Sequence, residues 1–338
     1  MDRRKRSHFI LGILTVYLGL AAVVYFGTVL EENLRPPTTP IWGVTFVPSY
    51  AEYLGTDAKE SLTALLDDLK VKHFRLSIPW DRAEASQGQF NFSEIGWQLD
   101  ELGKRGADAF VSIGRRTPRW PECHDPDWID DLTLERQDEA ALELVRAEVT
   151  ALKGRKEIVA WQVENEPFLA VFGRCPSRLS PAYFKREVAL VHELDPSRPV
   201  ITTDSGELST WFRAAPRVDE LGISIYHETW NGIFGKIVYP LPPAFYRRRV
   251  EFTKAIFGTE VFVSELQAEP WSGTQLSRLT PDEQVKLLGP EKLAGYLRFA
   301  ERTGLPSFYL WGAEWWYSLK IHGHPELWET VRSVFAKR

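Results

Sequence analysis

Two glutamates in this 338-residue chain stand near the ends of apolar runs, where a purely structural strand has no use for a charge. The run at 158–167, IVAWQVENEP, ends on Glu166 and a proline, and the run at 260–270, EVFVSELQAEP, carries Glu265. Two facing carboxyl groups can divide bond cleavage between them: one with a raised pKa protonates a leaving oxygen, and the other stays ionised and attacks carbon. At a separation of roughly 5 Å, such a pair would cleave a glycosidic bond by double displacement.

The elements that must position these glutamates are eight short apolar runs separated by amphipathic segments. The runs lie at 41–48, 73–80, 108–115, 158–167, 198–206, 221–230, 260–270 and 306–316. Alternating strand and helix patterns are typical of parallel βαβ units, and eight repeats predict a closed (β/α)8 TIM barrel. An open doubly wound sheet is the alternative, which the lack of a glycine-rich dinucleotide loop after the first run disfavours. In a barrel, the fourth and seventh strands face each other across the mouth, which would bring Glu166 and Glu265 together.

Polar and aromatic residues follow or end every run, at the face where barrel enzymes build their active sites. They include Arg75, Trp80, Arg115, Arg116, Asn165, Asp204, Glu207, Tyr226, His227, Gln267, Trp311 and Glu314. Loops are polar in general, so part of this pattern is expected in any barrel. Its recurrence at all eight runs nevertheless indicates a functional site at the carboxyl ends of the strands.

Over residues 41–338 the chain resembles the clan A retaining glycoside hydrolases, and within that clan the family 5 cellulase-like enzymes. The motif Asn165-Glu166-Pro167 matches the clan's fourth-strand signature, and Glu265 matches the glutamate that ends its seventh strand. The resemblance implies that Glu166 is the acid/base, that Glu265 is the nucleophile, and that Asn165 donates to the substrate 2-hydroxyl. The segment WDRAEASQGQFNF at 80–92 is similar to the stretch that follows the clan's second strand.

The same resemblance implies further substrate-binding residues. Arg75, in FRLSIPW, matches the arginine beside the nucleophile, and Tyr226 resembles the tyrosine that hydrogen-bonds it. Trp311, at the end of the eighth run, resembles the tryptophan platform under the sugar, and His227 follows Tyr226 as in many relatives. We add Trp120, in the third loop, as a distal stacking residue.

Two further carboxylates compete with these assignments. Glu314 ends the eighth run and Glu269 lies four residues after Glu265, so either could share the nucleophile's surroundings. We place Glu314 among the substrate-binding residues. Glu164 lies two residues before Glu166 and shares its face of the strand, for which we favour a structural role deeper in the barrel.

Three arginines, Arg115, Arg116 and Arg119, crowd the loop after the third run. They could pair with the acidic residues of the same loop, or they could bind a phosphate, a carboxylate or an acidic sugar. Because Glu122, Asp125 and Asp127 are close in sequence, the internally paired loop is the favoured interpretation.

Composition excludes several other function classes. The formal net charge of -5 gives no basic footprint for nucleic acid. The histidines lack the i, i+4 spacing of a zinc helix, and neither a G-x-S-x-G elbow nor a phosphate loop occurs. We therefore expect no metal and no cofactor. The resemblance implies an oligo- or polysaccharide as the partner. The chain is rich in aromatic residues that could stack on sugars, with 13 Trp, 19 Phe and 11 Tyr. We expect about half of them to pack in the core instead.

The N-terminus predicts a membrane anchor. Four basic residues at 3–6 precede an apolar run at 9–30 that is long enough to span a bilayer, and the basic flank would stay in the cytoplasm. We expect an uncleaved transmembrane helix within residues 1–30, a linker at 31–40 and a barrel at 41–338 at the cell surface, with a cleaved signal peptide as the alternative. Cys123 and Cys175 could form a disulfide outside the cytoplasm or remain two thiols.

Two other functions use the same residues. A transglycosylase would pass the glycosyl group to another sugar instead of water, and a sugar-binding barrel would have lost catalysis. Product analysis with an added acceptor sugar distinguishes the first, and affinity without turnover distinguishes the second. The glycan, its linkage and the choice between endo and exo action stay open at this level.

Overall fold

The computed structural model describes residues 38–169, 171, 173–175 and 179–336, together with Gly19 and Gly27. The expected transmembrane segment at 9–30, apart from those two glycines, lies outside the described residues, as does most of the linker. Among the residues that are described, no helix combines the length and the apolar character that crossing a bilayer requires.

Eight parallel strands close into a barrel, so the predicted (β/α)8 fold is confirmed. The strands are β1 (Ile41–Thr45), β2 (His73–Ser77), β3 (Asp108–Ile113), β4 (Ile158–Val163), β5 (Val200–Ser205), β6 (Glu220–Ile225), β9 (Glu260–Gln267) and β10 (Ser307–Trp311). The last strand pairs in parallel with the first, with Trp42 opposite Phe308. The predicted fourth and seventh barrel strands are therefore β4 and β9.

One predicted run covers parts of two separate strands. The run at 221–230 leaves the barrel after Ile225, and β7 (Glu228–Asn231) then pairs with β8 (Gly235–Val238) in a separate antiparallel hairpin. Residues on this hairpin consequently do not follow the inward and outward alternation of the barrel strand.

The helices surround the barrel and cover the strand ends. They are α1 (Pro48–Tyr53), α2 (Ala58–Asp67), α3 (Trp80–Ala83), α4 (Ser93–Lys104), α5 (Leu134–Leu152), α6 (Pro181–Leu194), α7 (Pro243–Phe257), α8 (Pro281–Leu287), α9 (Pro290–Thr303), α10 (Ala313–Ile321) and α11 (Glu326–Phe335). The connection from β5 to β6 carries only the short 3-10 turn Ala215–Arg217. Asp57, Thr133 and Ser180 cap α2, α5 and α6, since each side chain accepts a hydrogen bond from a first-turn N–H group.

The barrel interior is apolar at one end and polar at the other. A cluster of Phe110, Ala160, Ile201, Phe262 and Tyr309 fills the half nearest the amino ends of the strands. The rings of Phe110 and Tyr309 meet edge to face, with centroids 4.7 Å apart. This cluster of side chains closes one end of the barrel, so a substrate can enter only from the carboxyl ends of the strands.

A disulfide joins Cys123, in the loop after β3, to Cys175, in the loop after β4. The Cα atoms lie 5.2 Å apart, within the usual range for this bond. Of the two states that the sequence leaves open, the structure therefore has the disulfide, and it ties together two loops at the barrel mouth.

Candidate active site

The two predicted catalytic glutamates line a single cavity at the carboxyl ends of the strands. The cavity holds about 120 Å³. Its lining consists of Arg119, Trp120, Glu122, Glu166, Leu169, Ser205, Glu207, Leu208, Ser224, Tyr226, Thr229, Tyr239, Glu265, Trp271 and Trp311. Glu265 belongs to β9 and Glu166 follows β4, so barrel closure brings together residues about one hundred positions apart in the chain.

Glu265 is held at both carboxylate oxygens. Arg75 donates from Nη1 to Oε1 at 2.5 Å, and Tyr226 donates from Oη to Oε2 at 2.9 Å. The Arg75 side chain is fully buried and also donates to Asn165 Oδ1 at 2.6 Å and to Gln162 Oε1 at 2.8 Å. One guanidinium thus links β2, β4 and β9, and it fixes the orientation of Glu265 with charge-assisted hydrogen bonds.

The amide of Asn165 is oriented by hydrogen bonds to its oxygen. Its Oδ1 accepts from Arg75 and also from Thr203 Oγ1 at 2.8 Å. Because an amide group carries its donors on nitrogen, this orientation leaves Nδ2 as the part that can donate to a ligand. The placement is compatible with the donor role that the resemblance implies.

The chain turns sharply as it leaves β4. Glu164 and Glu166 both have left-handed backbone conformations, with φ of 61° and 43°. Such conformations are unfavourable for residues other than glycine and are often concentrated at functional sites. Glu166 N–H donates to Thr203 Oγ1 at 2.9 Å, and Ser224 Oγ donates to Glu166 Oε1 at 3.2 Å. These contacts aim the Glu166 carboxyl group into the cavity.

Burial raises the pKa of Glu166 well above its usual value. The negative charges of Glu265, Glu122 and Asp204 raise it further, while Arg116 opposes them. A carboxyl group that keeps its proton near neutral pH can serve as a general acid.

Glu122 is a further carboxylate on the cavity wall, at a position that the sequence did not indicate. Its Oε2 accepts from Arg116 Nη2 at 2.5 Å, as expected for an internally paired loop. Burial, with a contribution from the charge of Glu265, raises its pKa to about 7. No local pattern indicates this position, because the loop between β3 and α5 has no periodicity.

Two of the three loop arginines pair within their loop. Arg115 donates to both oxygens of Asp125, at 2.8 and 2.7 Å, and Arg116 pairs with Glu122. Arg119 instead crosses the barrel mouth and pairs with Glu269 and Glu314. The favoured interpretation of a paired loop therefore holds for two of the arginines, and the third joins distant parts of the chain.

Aromatic residues form much of the cavity rim. Trp311 lines the cavity and donates from Nε1 to Glu269 Oε1 at 2.8 Å. Trp120 is 63% exposed at the rim, where a sugar could stack on it. Trp271, which the sequence analysis did not single out, packs edge to face on Tyr226 with centroids 5.6 Å apart. The sequence feature that could have identified Trp271 is its position in the loop after β9, six residues beyond Glu265.

Two residues predicted to bind substrate lie behind the cavity wall. His227 stacks on Tyr296 with centroids 3.9 Å apart and packs against Phe299, and burial lowers its pKa to about 4. Consecutive residues of an extended chain point in opposite directions, so Tyr226 faces the cavity and His227 faces α9. Glu314 is fully buried in the first turn of α10, where it accepts from Val47 N–H at 2.5 Å and pairs with Arg119.

No protein-family model matches this chain, and no curated protein matches its sequence. Similar solved structures include a GH5_18 protein from Bifidobacterium longum subsp. longum, with a TM-score of 0.58 and 15% identity over 81% of this chain and 70% of that one. Xylanase 10B from Thermotoga petrophila, in complex with xylobiose, gives a TM-score of 0.57 and 15% identity over 88% of this chain and 94% of that one.

A β-galactosidase from Marinomonas ef1 is also similar, with a TM-score of 0.55 and 13% identity over 80% of this chain. This chain spans only 53% of the length of that enzyme. At these identities the likeness establishes the fold alone. It confirms the predicted resemblance at that level: the chain has the (β/α)8 barrel fold of the family 5 and family 10 glycoside hydrolases of clan A.

Proposed function

We propose that this protein is a retaining glycoside hydrolase that cleaves a β-linked glycan by double displacement. Glu166 is the acid/base and Glu265 is the nucleophile. The observation that carries the proposal is their pairing in one small cavity: Glu166 has a raised pKa, and Glu265 is held by Arg75 and Tyr226. The fold that the chain shares with known glycoside hydrolases supports the same reaction class.

In the first step, the Glu166 carboxyl group gives its proton to the glycosidic oxygen while Glu265 attacks the anomeric carbon. The bond to the leaving oxygen breaks, and an ester forms between the sugar and Glu265. In the second step, the Glu166 carboxylate takes a proton from water, and the resulting oxygen displaces Glu265 from the anomeric carbon. Both glutamates return to their starting protonation states.

The charge of Glu265 couples these two steps. In the free enzyme it contributes to the raised pKa of Glu166, which favours the protonated acid. When Glu265 becomes an ester, that charge disappears and the pKa of Glu166 falls. The lower pKa favours the ionised form, which is the form that acts as a base in the second step.

The rim supports a carbohydrate as the substrate. Trp120, Tyr226, Trp271 and Trp311 offer flat apolar faces around carboxylates, a combination that suits a pyranose ring with hydroxyl groups at its edge. The bound molecules named for the similar structures include GlcNAc and xylobiose. We propose a β-linked oligo- or polysaccharide as the substrate class.

We propose that the barrel works outside the cytoplasm, anchored through residues 9–30. The disulfide between Cys123 and Cys175 supports an oxidising compartment, where such bonds persist.

The direct test is hydrolysis of a panel of β-linked glycans by the full-length chain, beside Glu166→Gln and Glu265→Gln. We expect each substitution to lower kcat by about 10²–10⁴-fold or more. The control is Glu220→Gln, a carboxylate at the opposite end of the barrel in β6, which should keep full activity. Activity that survives both cavity substitutions would rule out Glu166 and Glu265 as the catalytic residues.

The intermediate gives a second, independent test. A 2-deoxy-2-fluoro glycoside with a good leaving group should trap a covalent adduct, and peptide mass spectrometry should locate it on Glu265. Proton NMR of the first product should show the β-anomer, and an α-anomer would contradict a retaining mechanism. Added acceptor sugars that capture most of the glycosyl group would identify a transglycosylase.

A further inference from the structure

A second, larger cavity adjoins the catalytic one. It holds about 640 Å³ and is formed by the loops after β1, β2, β3 and β9. The two cavities share four lining residues, Arg119, Trp120, Trp271 and Trp311. These four residues therefore form the divide between the cavities, and we call them the dividing wall.

Arg119 is the fixed centre of the dividing wall. Its guanidinium lies 3.5 Å from the ring centroid of Tyr50 and 4.1 Å from that of Trp311. It pairs with Glu269 and, at 3.1 Å, with Glu314. Both partners are buried, so moving Arg119 aside would leave two buried carboxylates without their partner, which is strongly unfavourable. At Arg119 the divide is consequently rigid and does not act as a mobile gate.

The dividing wall closes the side of the catalytic cavity that belongs to the nucleophile. Trp311 ends β10, the neighbour of the strand that carries Glu265. The opposite side includes Leu169 and Leu208, which follow β4 and β5, and it lies on the side of Glu166. In the proposed reaction, the sugar attacked by the nucleophile lies on the first side and the leaving group on the second.

We propose that the dividing wall limits the enzyme to one sugar ring on the nucleophile's side, so that it removes single residues from the non-reducing end of a β-linked chain. This inference rests on the proposed glycosidase function. The catalytic cavity, at about 120 Å³, is smaller than the roughly 300–1,000 Å³ of pockets that enclose drug-sized ligands. A chain that continued beyond its first ring on this side would meet Arg119, which lines both cavities.

The first test needs no variant. The full-length enzyme is given β-linked tetra- to hexasaccharides of glucose, xylose, mannose and galactose, free or capped at the non-reducing end by a bulky acetal. We expect a monosaccharide as the first product. We also expect the capped chains to be cleaved about 100-fold more slowly or worse, because binding a cap would break the buried ion pairs of Arg119. Equal rates on capped and free chains, with longer products, would overturn the proposal.

Matched 4-nitrophenyl β-monoglycosides separate this inference from the function on which it rests. An enzyme that cleaves the aryl glycosides or the free chains has the proposed activity, whatever the caps do. Failure on every substrate would remove the glycosidase assignment, and the inference with it.

A charge-compensated variant tests the dividing wall directly. Arg119→Ala combined with Glu269→Gln and Glu314→Gln opens the divide without leaving buried carboxylates unpaired. We expect the rate ratio between free and capped chains to fall to within tenfold, in a protein with wild-type circular dichroism. Arg174→Ala is the control, because this exposed arginine lies over Trp120 at 5.4 Å and outside both cavities' linings. A folded triple variant with an unchanged ratio would refute the role of Arg119.

Discussion

At the scale of single residues, the proton on Glu166 is governed mainly by burial and by surrounding charge. One hydroxyl, that of Ser224, donates to its carboxyl group, while Glu265, Glu122 and Asp204 all favour its protonated form. An acid controlled in this way responds to the charge of every neighbour. Its working pH range can therefore be moved without touching the proposed catalytic pair.

Glu122→Gln should shift the basic limb of the kcat/KM profile to lower pH. The pKa of Glu122 is raised to about 7, so in the wild-type enzyme its charge appears around neutral pH and helps Glu166 to keep its proton. Without that charge the pKa of Glu166 falls, and we expect a shift of roughly half a unit or more. The measurement is a pH-rate profile, with Glu220→Gln as the control. An unmoved basic limb would show that Glu122 has no such influence.

Tyr226→Phe should lower kcat by about 10–100-fold with little change in KM. The substitution removes the hydroxyl that donates to Glu265 Oε2 at 2.9 Å, and hydrogen bonds to charged groups contribute about 1.5–3 kcal/mol. Steady-state kinetics on an aryl β-glycoside provides the measurement. Tyr183→Phe is the control, because this buried tyrosine donates to the carbonyl of Asp138 at 3.1 Å and does not line the catalytic cavity. Equal losses in both variants would point to a structural effect.

At the scale of elements, the loops after β3 and β4 behave as one unit. Arg116 donates from Nε to the carbonyl of Asn165 at 2.9 Å, and Arg174 N–H donates to the carbonyl of Pro121 at 2.9 Å. The disulfide between Cys123 and Cys175 adds a covalent link. Because one loop carries Glu122 and the other carries Glu166, these links set how the two carboxylates face each other.

Replacing both cysteines by serine should destabilise the protein. The bridge spans 52 positions of sequence, and a cross-link of that length restricts the unfolded chain by about 4 kcal/mol at 25 °C. Urea denaturation of Cys123→Ser/Cys175→Ser against wild type measures the change in the free energy of unfolding. A reducing agent should lower the midpoint of the wild-type protein and leave the double variant unchanged. Identical midpoints without reductant would contradict the prediction.

At the scale of the whole molecule, a buried acidic cluster supports the site from behind. Glu148 accepts from Gly114 N–H at 3.2 Å, and Glu164 accepts from the N–H groups of Arg115 and Arg116 at 2.9 and 2.7 Å. Glu187 completes the cluster beside Glu164, and burial is the main cause of the raised pKa in all three glutamates. The structural role favoured for Glu164 is thus to hold the backbone after β3.

This cluster should make the protein less stable as pH rises. A raised pKa means that the folded state binds protons more tightly than the unfolded state, whose glutamates titrate near about 4.3. The stabilisation is complete below that value and is lost as pH increases through the folded-state pKa. Glu187→Gln should flatten the decline of Tm between pH 5 and pH 9, measured by thermal unfolding. A slope equal to that of wild type would exclude Glu187 as its source.

Much of the architecture follows from local patterns in the chain. A buried parallel strand needs a short apolar run and a covering helix needs an amphipathic one, so eight alternations were enough to predict the barrel. The positions of Glu166 and Glu265 at the mouth follow from the same count, because parallel strands in a barrel all end on one face. Their further partners, Arg75 and Tyr226, came from the motif resemblance, and both contact Glu265.

The conformations of the loops could not be predicted from local patterns, because they depend on contacts with distant residues. Arg119 pairs with residues 150 and 195 positions away, and the orientation of His227 depends on where the chain leaves β6 for the hairpin. Strand periodicity is a local property, since each residue is placed by its neighbours in the strand. The walls of the cavity, and with them the number of sugar rings it admits, arise only when closure of the barrel brings eight loops to one mouth.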